Sequence, residues 1–308
     1  MLTGIDHIII GVHDLDAAAR RFSEELGLRA SGGGIHPSGG TANRIIVFGD
    51  TYLELIAVRV PQEAQQSLLD RLAKHEGYLN MALGSNDLAA DSEAMRRRGV
   101  ALIGPAPGQL RSSDGRTRSW QRVDIERAEL TQHYPFIIQH DSVGEERRFR
   151  LAGWAQPPQH PLGAVQVLSA TIAVEDLDEA TRRFGHIYGL EASEPFTGHV
   201  DGWDALLVSF TLGDGSQHLE FAAPVPLASE EDAEIGMEHL PGAGALRSYL
   251  ARFGESVCRM TLAISSMDEA RRYLDEHGVT YTYQEEPRRA LWIHPDYACG
   301  ASILLHEG

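Results

Sequence analysis

Apolar and polar positions along the chain follow a pattern that occurs twice. Residues 12–28, VHDLDAAARRFSEELGL, lie over residues 174–190, VEDLDEATRRFGHIYGL, without a gap, pairing Leu15 with Leu177, Phe22 with Phe184 and Gly27 with Gly189. In each copy apolar residues recur at helical spacing (Leu15, Ala18, Phe22, Leu26; Leu177, Ala180, Phe184, Tyr188), an Asp precedes the run and a Gly follows it. That combination predicts a capped amphipathic helix. Residues 87–100 and 267–279 predict two shorter helices, ended by Gly99 and Gly278. A strand pattern such as IDHIIIGV or LSATIAV leads into a helix, and strands follow it. TANRIIVFGDTYLELIAV carries a hairpin turn at Gly49-Asp50, and ALLVSFTLGDGSQHLEFAA repeats the turn around Gly213 to Gly215. The chain therefore reads as four units, each a strand, a helix and a run of strands, arranged as a duplicated pair.

Composition sets the class. The chain has 308 residues and 43% hydrophobic content, enough for about two cores. Residues 1–145 and 166–308 are the expected domains, with an Arg-, Pro- and Gln-rich linker over 146–165. Residues 223–256, with the acidic run SEEDAE, read as a long connection carrying its own short helix. No apolar run approaches the roughly 20 residues that span a bilayer, and MLTGIDHIII lacks a basic signal-peptide start, so the expected location is the cytoplasm. Cys258 and Cys299 form no disulfide or zinc pattern. A formal charge of −17 argues against nucleic acid and anionic membranes and points to a small-molecule partner.

Glu54 is a lone carboxylate within the strand pattern GDTYLELI. Period-2 alternation puts Tyr52, Glu54 and Ile56 on one face of that strand, and His7 and Ile9 together on one face of theirs. A carboxylate on an inward face is costly unless paired or metal-bound. The residues alone leave two readings open: a core histidine and a paired carboxylate, or a site. The glycine-rich loop GGGIHPSGGTAN offers a backbone that can approach a ligand closely, with His36, Thr41 and Asn43 as polar groups. It runs into a strand and so is not a phosphate loop. Arg111, Arg116, Arg118 and Arg122 flank the turn at Asp114-Gly115 and alternate in part with Trp120, as a solvated strand or as a clamp for an anionic or aromatic substrate.

Linked motifs over residues 5–140 (IDHIIIGVHDLD, GGGIHPSGGTANRIIVFGDTYLELI, RSSDGRTRSWQ, HYPFIIQH) make the first half resemble a glyoxalase-like domain of the vicinal oxygen chelate superfamily. That superfamily includes glyoxalases, methylmalonyl-CoA epimerases, extradiol dioxygenases and bleomycin-resistance proteins. The second half is similar more loosely, through LSATIAVEDLD, HLEF, RFGESVCRMTLAI and WIHPDYACGASILL.

The resemblance implies an α+β fold of four βαβββ modules, forming two cupped mixed β-sheet domains with flanking helices. It also implies a four-position site for one divalent metal (Mn, Fe, Co, Ni or Zn) in the first domain. The family's ligand positions fall on His7 and Glu54, and alignment of helix starts adds Gln139 and Asn80. Glu54 and His36 become candidates for catalysis; His36, Thr41, Asn43, Asn80, Arg118 and Trp120 become candidates for substrate contact. Where the family often has a histidine between Thr41 and Asn43, this chain has Ala42.

In the second half the four positions fall on Ser169, Glu220, Arg259 and Leu304, so no metal is expected there and Arg259 is expected to pair with Glu220. His218, on the face of Glu220, is the best remaining candidate for chemistry there against the commoner reading as a core histidine, and His294 reads as a turn histidine. The resulting expectation is a metal-dependent enzyme of isomerase, epimerase or lyase type, acting on a small vicinal-oxygen substrate through a stabilised enolate. Ring-cleaving dioxygenation is disfavoured, because related dioxygenases keep their ligands in the second pair of units. The alternative is a metal-free sequestration protein resembling bleomycin-resistance proteins, with Trp120, Trp203, Trp292 and the glycine loop as its contact surface. A second half kept for homodimerisation, or for closing the cavity, is the third reading.

Overall fold

In the computed structural model each of the four predicted units is a βαβββ module. The structure describes all residues except 113, 127–133, 201–202, 226–242 and 287, together with the side chains at 199, 200, 203, 204 and 243–245. The acidic run SEEDAE and the Trp203 side chain thus lie outside the described residues. The first module is β1 (Leu2–Gly11), α1 (Leu15–Arg20), β2 (Ser31–Ile35), β3 (Thr41–Phe48) and β4 (Thr51–Val58). After a helix at Gln66–Lys74 comes the second: β5 (Gly77–Ser85), the helix Leu88–Arg97, β6 (Leu102–Arg111), β7 (Thr117–Ile125) and β8 (Phe136–His140). The third is β9 (Ala164–Ala173), the helix Leu177–Tyr188, β10 (Phe196–Val200), β11 (Trp203–Leu212) and β12 (Gln217–Pro224). The fourth is β13 (Ser256–Ile264), the helix Met267–Glu276, β14 (Tyr281–Gln284), β15 (Ala290–Ile293) and β16 (Ser302–Glu307).

The helix starts are chemically explicit. Asp14 accepts hydrogen bonds from the backbone N–H groups of Asp16 and Ala17, and Asp176 accepts from Glu179 N, so the duplicated Asp is the N-cap in both copies. Past Arg20 the first helix widens into a π turn over Arg21–Glu25 before Gly27 ends it.

In every module the first and last strands lie side by side and parallel, and paired modules meet through their first strands, antiparallel. The first pair closes into a barrel in the order β1-β4-β3-β2-β6-β7-β8-β5, the seam being the pairing of Ile35 with Arg111. The second pair stays an open, curled sheet ordered β10-β11-β12-β9-β13-β16-β15-β14. One hydrophobic core runs through both sheets, from Ile8, Phe22 and Leu53 to Phe184, Phe221 and Leu262. The segment expected to be a linker begins instead with a helix, Gly144–Ala152, which packs Leu151 and Ala152 against Ile45, Val47 and Tyr52 of the barrel.

The two sheets also meet through buried polar groups. Gln217 accepts from Ile5 N at 2.8 Å and donates to Thr51 Oγ1 at 2.9 Å and Val167 O at 3.0 Å. Close by, Gly213 (φ +57°) approaches Thr3 so tightly that a Cβ there would sit 2.1 Å from the Thr3 carbonyl oxygen, which only glycine permits. Replacing Gln217 with Leu orphans the Ile5 N–H and is expected to cost about 2–3 kcal/mol in urea denaturation. A loss under roughly 0.5 kcal/mol would show that the bridge is not structural.

Candidate active site

Inside the barrel, β1, β3, β4 and β7 surround a cavity of about 330 Å³ lined by His7, His36, Thr41, Tyr52, Glu54, Arg118, Trp120 and His140 among others. A β-bulge places the first of these. Ile5 pairs with Leu83 and His7 with Ala82, so Asp6 is an extra residue in the ladder, and Asp6 and His7 reach each other instead of opposite faces. His7 Nδ1 lies 2.7 Å from Asp6 Oδ1. Asp6 also accepts from Arg147 Nη2 at 2.6 Å and lies 3.3 Å from His140 Nε2. Burial alone would raise the Asp6 pKa, but Arg147, His140 and the His7 bond more than offset it and hold the carboxyl well below the usual carboxylate range. An ionised carboxylate only accepts, so His7 Nδ1 carries a proton and Nε2 is the nitrogen left to face the cavity.

Nε2 lies 3.7 Å from Glu54 Oε2, too far for a hydrogen bond. The other carboxylate oxygen is held by Asn43 Nδ2. The orientation of Asn43 follows from its own partners: its Oδ1 accepts from Gly34 N at 2.8 Å, which leaves Nδ2 for Glu54 and, at 3.4 Å, for His36 Nε2. His36 Nδ1 then donates to Thr41 Oγ1 at 2.8 Å, and His36 Nε2 stands 3.6 Å from Glu54 Oε1. Burial lowers the His36 pKa, with Glu54 opposing, so the ring is neutral near pH 7. Burial raises the Glu54 pKa, but His36, His7, the Asn43 bond and Arg118 outweigh it, so the carboxylate stays ionised. Arg118 is only 4% exposed, donates to Leu151 O at 3.4 Å and supplies positive charge to the cavity wall. Trp120 and Arg122 alternate with it along β7, the Arg122 guanidinium lying 3.6 Å from the Phe136 ring centroid.

Of the residues singled out from sequence, His7, His36, Thr41, Glu54, Arg118 and Trp120 line this cavity, and Asn43 supports it from behind. Two lie elsewhere. Gln139 accepts from Leu88 N at 2.8 Å and donates to Asn86 O at 3.3 Å, facing the groove between barrel and open sheet. Asn80 donates to Tyr134 O at 3.3 Å and accepts from Met81 N at 2.7 Å. Strand register explains the first: Phe136 stands opposite Ala82 as Leu304 stands opposite Thr261, so the last-strand position is Phe136, three residues before Gln139. The four aligned positions are thus His7, Glu54, Asn80 and Phe136. Among the described residues no group of three His, Cys, Asp or Glu side chains is spaced to hold a metal ion. The residues present do not fit the four-position metal site.

Sequence reasoning missed Asp6, His140 and Arg147. Asp6 sits next to His7, where simple alternation assigns it to the opposite face, and Arg147 lies in the segment expected to be linker.

The barrel closed by one pair of βαβββ modules, with a second pair beside it, is the fold of the vicinal oxygen chelate superfamily. Residues 5–188 match the family described as Glyoxalase-like domain, and the chain belongs to that family. No curated protein matches it. Among solved structures, a hypothetical protein from Staphylococcus aureus is 14% identical with a TM-score of 0.63, each chain covered in full. A mutant 4-hydroxymandelate synthase from Streptomyces coelicolor is 13% identical with a TM-score of 0.66, over 100% of this chain and 94% of that one. A methylmalonyl-CoA epimerase from Mycobacterium tuberculosis is 20% identical over 47% of this chain and 89% of its own, with a TM-score of 0.37. The two full-length likenesses speak to the fold. No helix among the described residues is long and apolar enough to cross a membrane.

Because the folded state lowers the His36 pKa, the unfolded chain binds the proton more readily, and stability falls as pH drops below the unfolded value near about 6.5. His36→Gln is therefore expected to reduce the Tm loss between about pH 7.5 and about pH 5.5, measured by calorimetry. An unchanged loss would place the acid sensitivity elsewhere.

Proposed function

We propose that the barrel is an enzyme of isomerase, epimerase or lyase type that moves a proton on a small, oxygen-rich, anionic substrate. One observation carries this reading: His7 Nε2 and Glu54 Oε2 face each other in a buried cavity at 3.7 Å, with no hydrogen bond joining them. An acidic C–H of a substrate beside a carbonyl loses its proton to His7 Nε2, and the electron pair moves to the carbonyl oxygen as an enolate. The imidazolium formed lies between Asp6 and Glu54, two carboxylates that stabilise its charge. Arg118 meets the enolate oxygen, and Trp120 supplies an apolar wall. Return of the proton to a different face or atom gives epimerisation or isomerisation; loss of a neighbouring group gives elimination. His36, Thr41 and Asn43 position Glu54. The aligned positions His7, Glu54, Asn80 and Phe136 do not fit the family's metal site, so His7, Glu54 and Arg118 carry the proposed chemistry.

The substrate need not be known to test this. Small α-hydroxycarbonyl compounds and 2-oxo acids are incubated with the protein in deuterated water, and loss of the C–H signal is followed by proton NMR. Exchange of at least one compound is expected, to fall about 10²- to 10⁴-fold in His7→Gln and Glu54→Gln, and to fall mainly through kcat in Arg118→Met, which removes the charge that meets the enolate oxygen. Exchange unaffected by His7→Gln sinks the assignment. A second arm uses chelator-treated protein, for which undiminished exchange is expected. Exchange that vanishes and returns with Mn, Fe, Co, Ni or Zn would replace this mechanism with a metal-assisted one.

A further inference from the structure

Tyr52 lines the barrel cavity, and the chemistry described so far leaves its hydroxyl without a role. It stands opposite His7 in the ladder between β1 and β4, and the two rings stack with centroids 4.6 Å apart and planes 12° from parallel. The ring also packs with Ile45 and Val47 against Leu151 and Ala152 of the helix that follows β8. Held in this way, it is only 4% exposed. Its hydroxyl makes no hydrogen bond among the described residues, yet Oη is not one of the fully enclosed polar atoms that lack a partner, so it opens on the cavity.

Arg118 is in the same condition. Its bond from Nη1 to Leu151 O, at 3.4 Å, is its one hydrogen bond among the described residues, and its Nε and Nη2 are not enclosed either. The two groups are neighbours: Tyr52 acts on the Arg118 guanidinium more strongly than Glu54 does. By contrast, His36 donates to Thr41 and Arg122 to Asp124, each at 2.8 Å. The Trp120 indole lies over Gly108 of β6, where a Cβ would sit 2.2 Å from Nε1, and its ring joins Phe136 and Ile138 in an apolar wall. Beside His7, the cavity therefore offers one neutral and one charged donor that nothing in the fold has used.

We infer, building on the proton transfer proposed for the barrel, that Tyr52 is a catalytic residue: its hydroxyl donates a hydrogen bond to the substrate oxygen that Arg118 meets. In that step His7 takes the proton from carbon, the C–H electron pair forms the carbon–carbon double bond, and the carbonyl pair moves onto oxygen. Tyr52 keeps its own proton throughout, and its hydrogen bond strengthens as the oxygen becomes negative. Burial chiefly, with Asp6 and Glu54, pushes the Tyr52 pKa well above that of a free phenol against the pull of Arg118 and Arg147, so the group stays a neutral donor. The stack on His7 holds the ring in place before charge develops, and a donor already aimed costs no reorganisation during the reaction.

Tyr52→Phe removes only the hydroxyl and keeps the ring on His7, so its Tm is expected to match that of the wild type. In the deuterium-exchange assay kcat should fall about 10²- to 10³-fold with KM nearly unchanged. Oxalate, an unreactive mimic of the enolate of a 2-oxo acid, is the second probe. Calorimetric titration of the full chain should show it binding about ten-fold more weakly to Tyr52→Phe than to the wild type. Exchange that His7→Gln abolishes and Tyr52→Phe leaves unchanged overturns the role of Tyr52 while the proton-transfer reading stands. A loss carried wholly by KM overturns it too, because Tyr52 would then touch substrate and transition state equally. Equal oxalate affinity in the two proteins removes the hydroxyl from the oxygen site and has the same force. Absence of exchange from every compound with the wild type overturns the reading itself, and the catalytic role of Tyr52 with it.

Discussion

Asp6 is a carboxylate almost wholly removed from water, and such a group stays ionised only if the surrounding structure supplies its counter-charge and hydrogen bonds. Here it does so from three elements: Arg147 from the helix after β8, His140 from the end of β8 and His7 from β1 itself. The arrangement works in both directions. Arg147 also donates to the Asp50 carbonyl at the β3–β4 turn, so the helix that carries it is held to the barrel by the residue that neutralises Asp6. The ionised Asp6 in turn decides which nitrogen of His7 bears the proton. Without the bulge at Asp6, alternation would turn its side chain away and leave the His7 tautomer unspecified.

Much of the fold was legible because it rests on local rules applied four times. The duplicated Asp caps, the terminal glycines and the Gly49-Asp50 turn are short-range signals, and the structure uses each where the pattern puts it. His7 and Glu54 were legible for a related reason: a polar residue in the middle of an apolar strand announces an inward position. Where the reading departed, the cause was irregular backbone or tertiary contact. Gln139 was placed by counting from a helix start, but the strand that holds it is short, and the register puts Phe136 where Gln139 was expected. Gln139 instead receives the Leu88 N–H beside a helix start, a role that becomes visible only when β8 and that helix are brought together. Asn43 was seen as a loop donor to ligand; it is fully buried, and the Gly34 N–H aims its amide at Glu54.

The two halves show how one backbone plan carries different chemistry. Glu54 and Glu220 occupy the same place, opposite Ile9 and Thr171 on the neighbouring first strands. In the barrel the carboxylate faces imidazole nitrogens, a type of group that can gain and lose a proton. In the open sheet it faces a guanidinium and two hydroxyls, none of which does. The first environment suits proton transfer and the second holds its carboxylate in an ion pair, a difference that comes from His7 against Ser169 and from Asn80 against Arg259 and not from the fold.

The halves are nevertheless not mechanically separate. Gln217, at the start of β12, accepts the Ile5 N–H, one residue before the bulge. A bulge leaves backbone groups out of the ladder, and a buried N–H beside it needs an acceptor from somewhere. The open sheet supplies that acceptor, and the same glutamine holds Thr51 at the start of the strand that carries Glu54. Both strands that position the His7–Glu54 pair are therefore anchored by one side chain from the other half. The open sheet thus helps to set the geometry in which His7 and Glu54 meet.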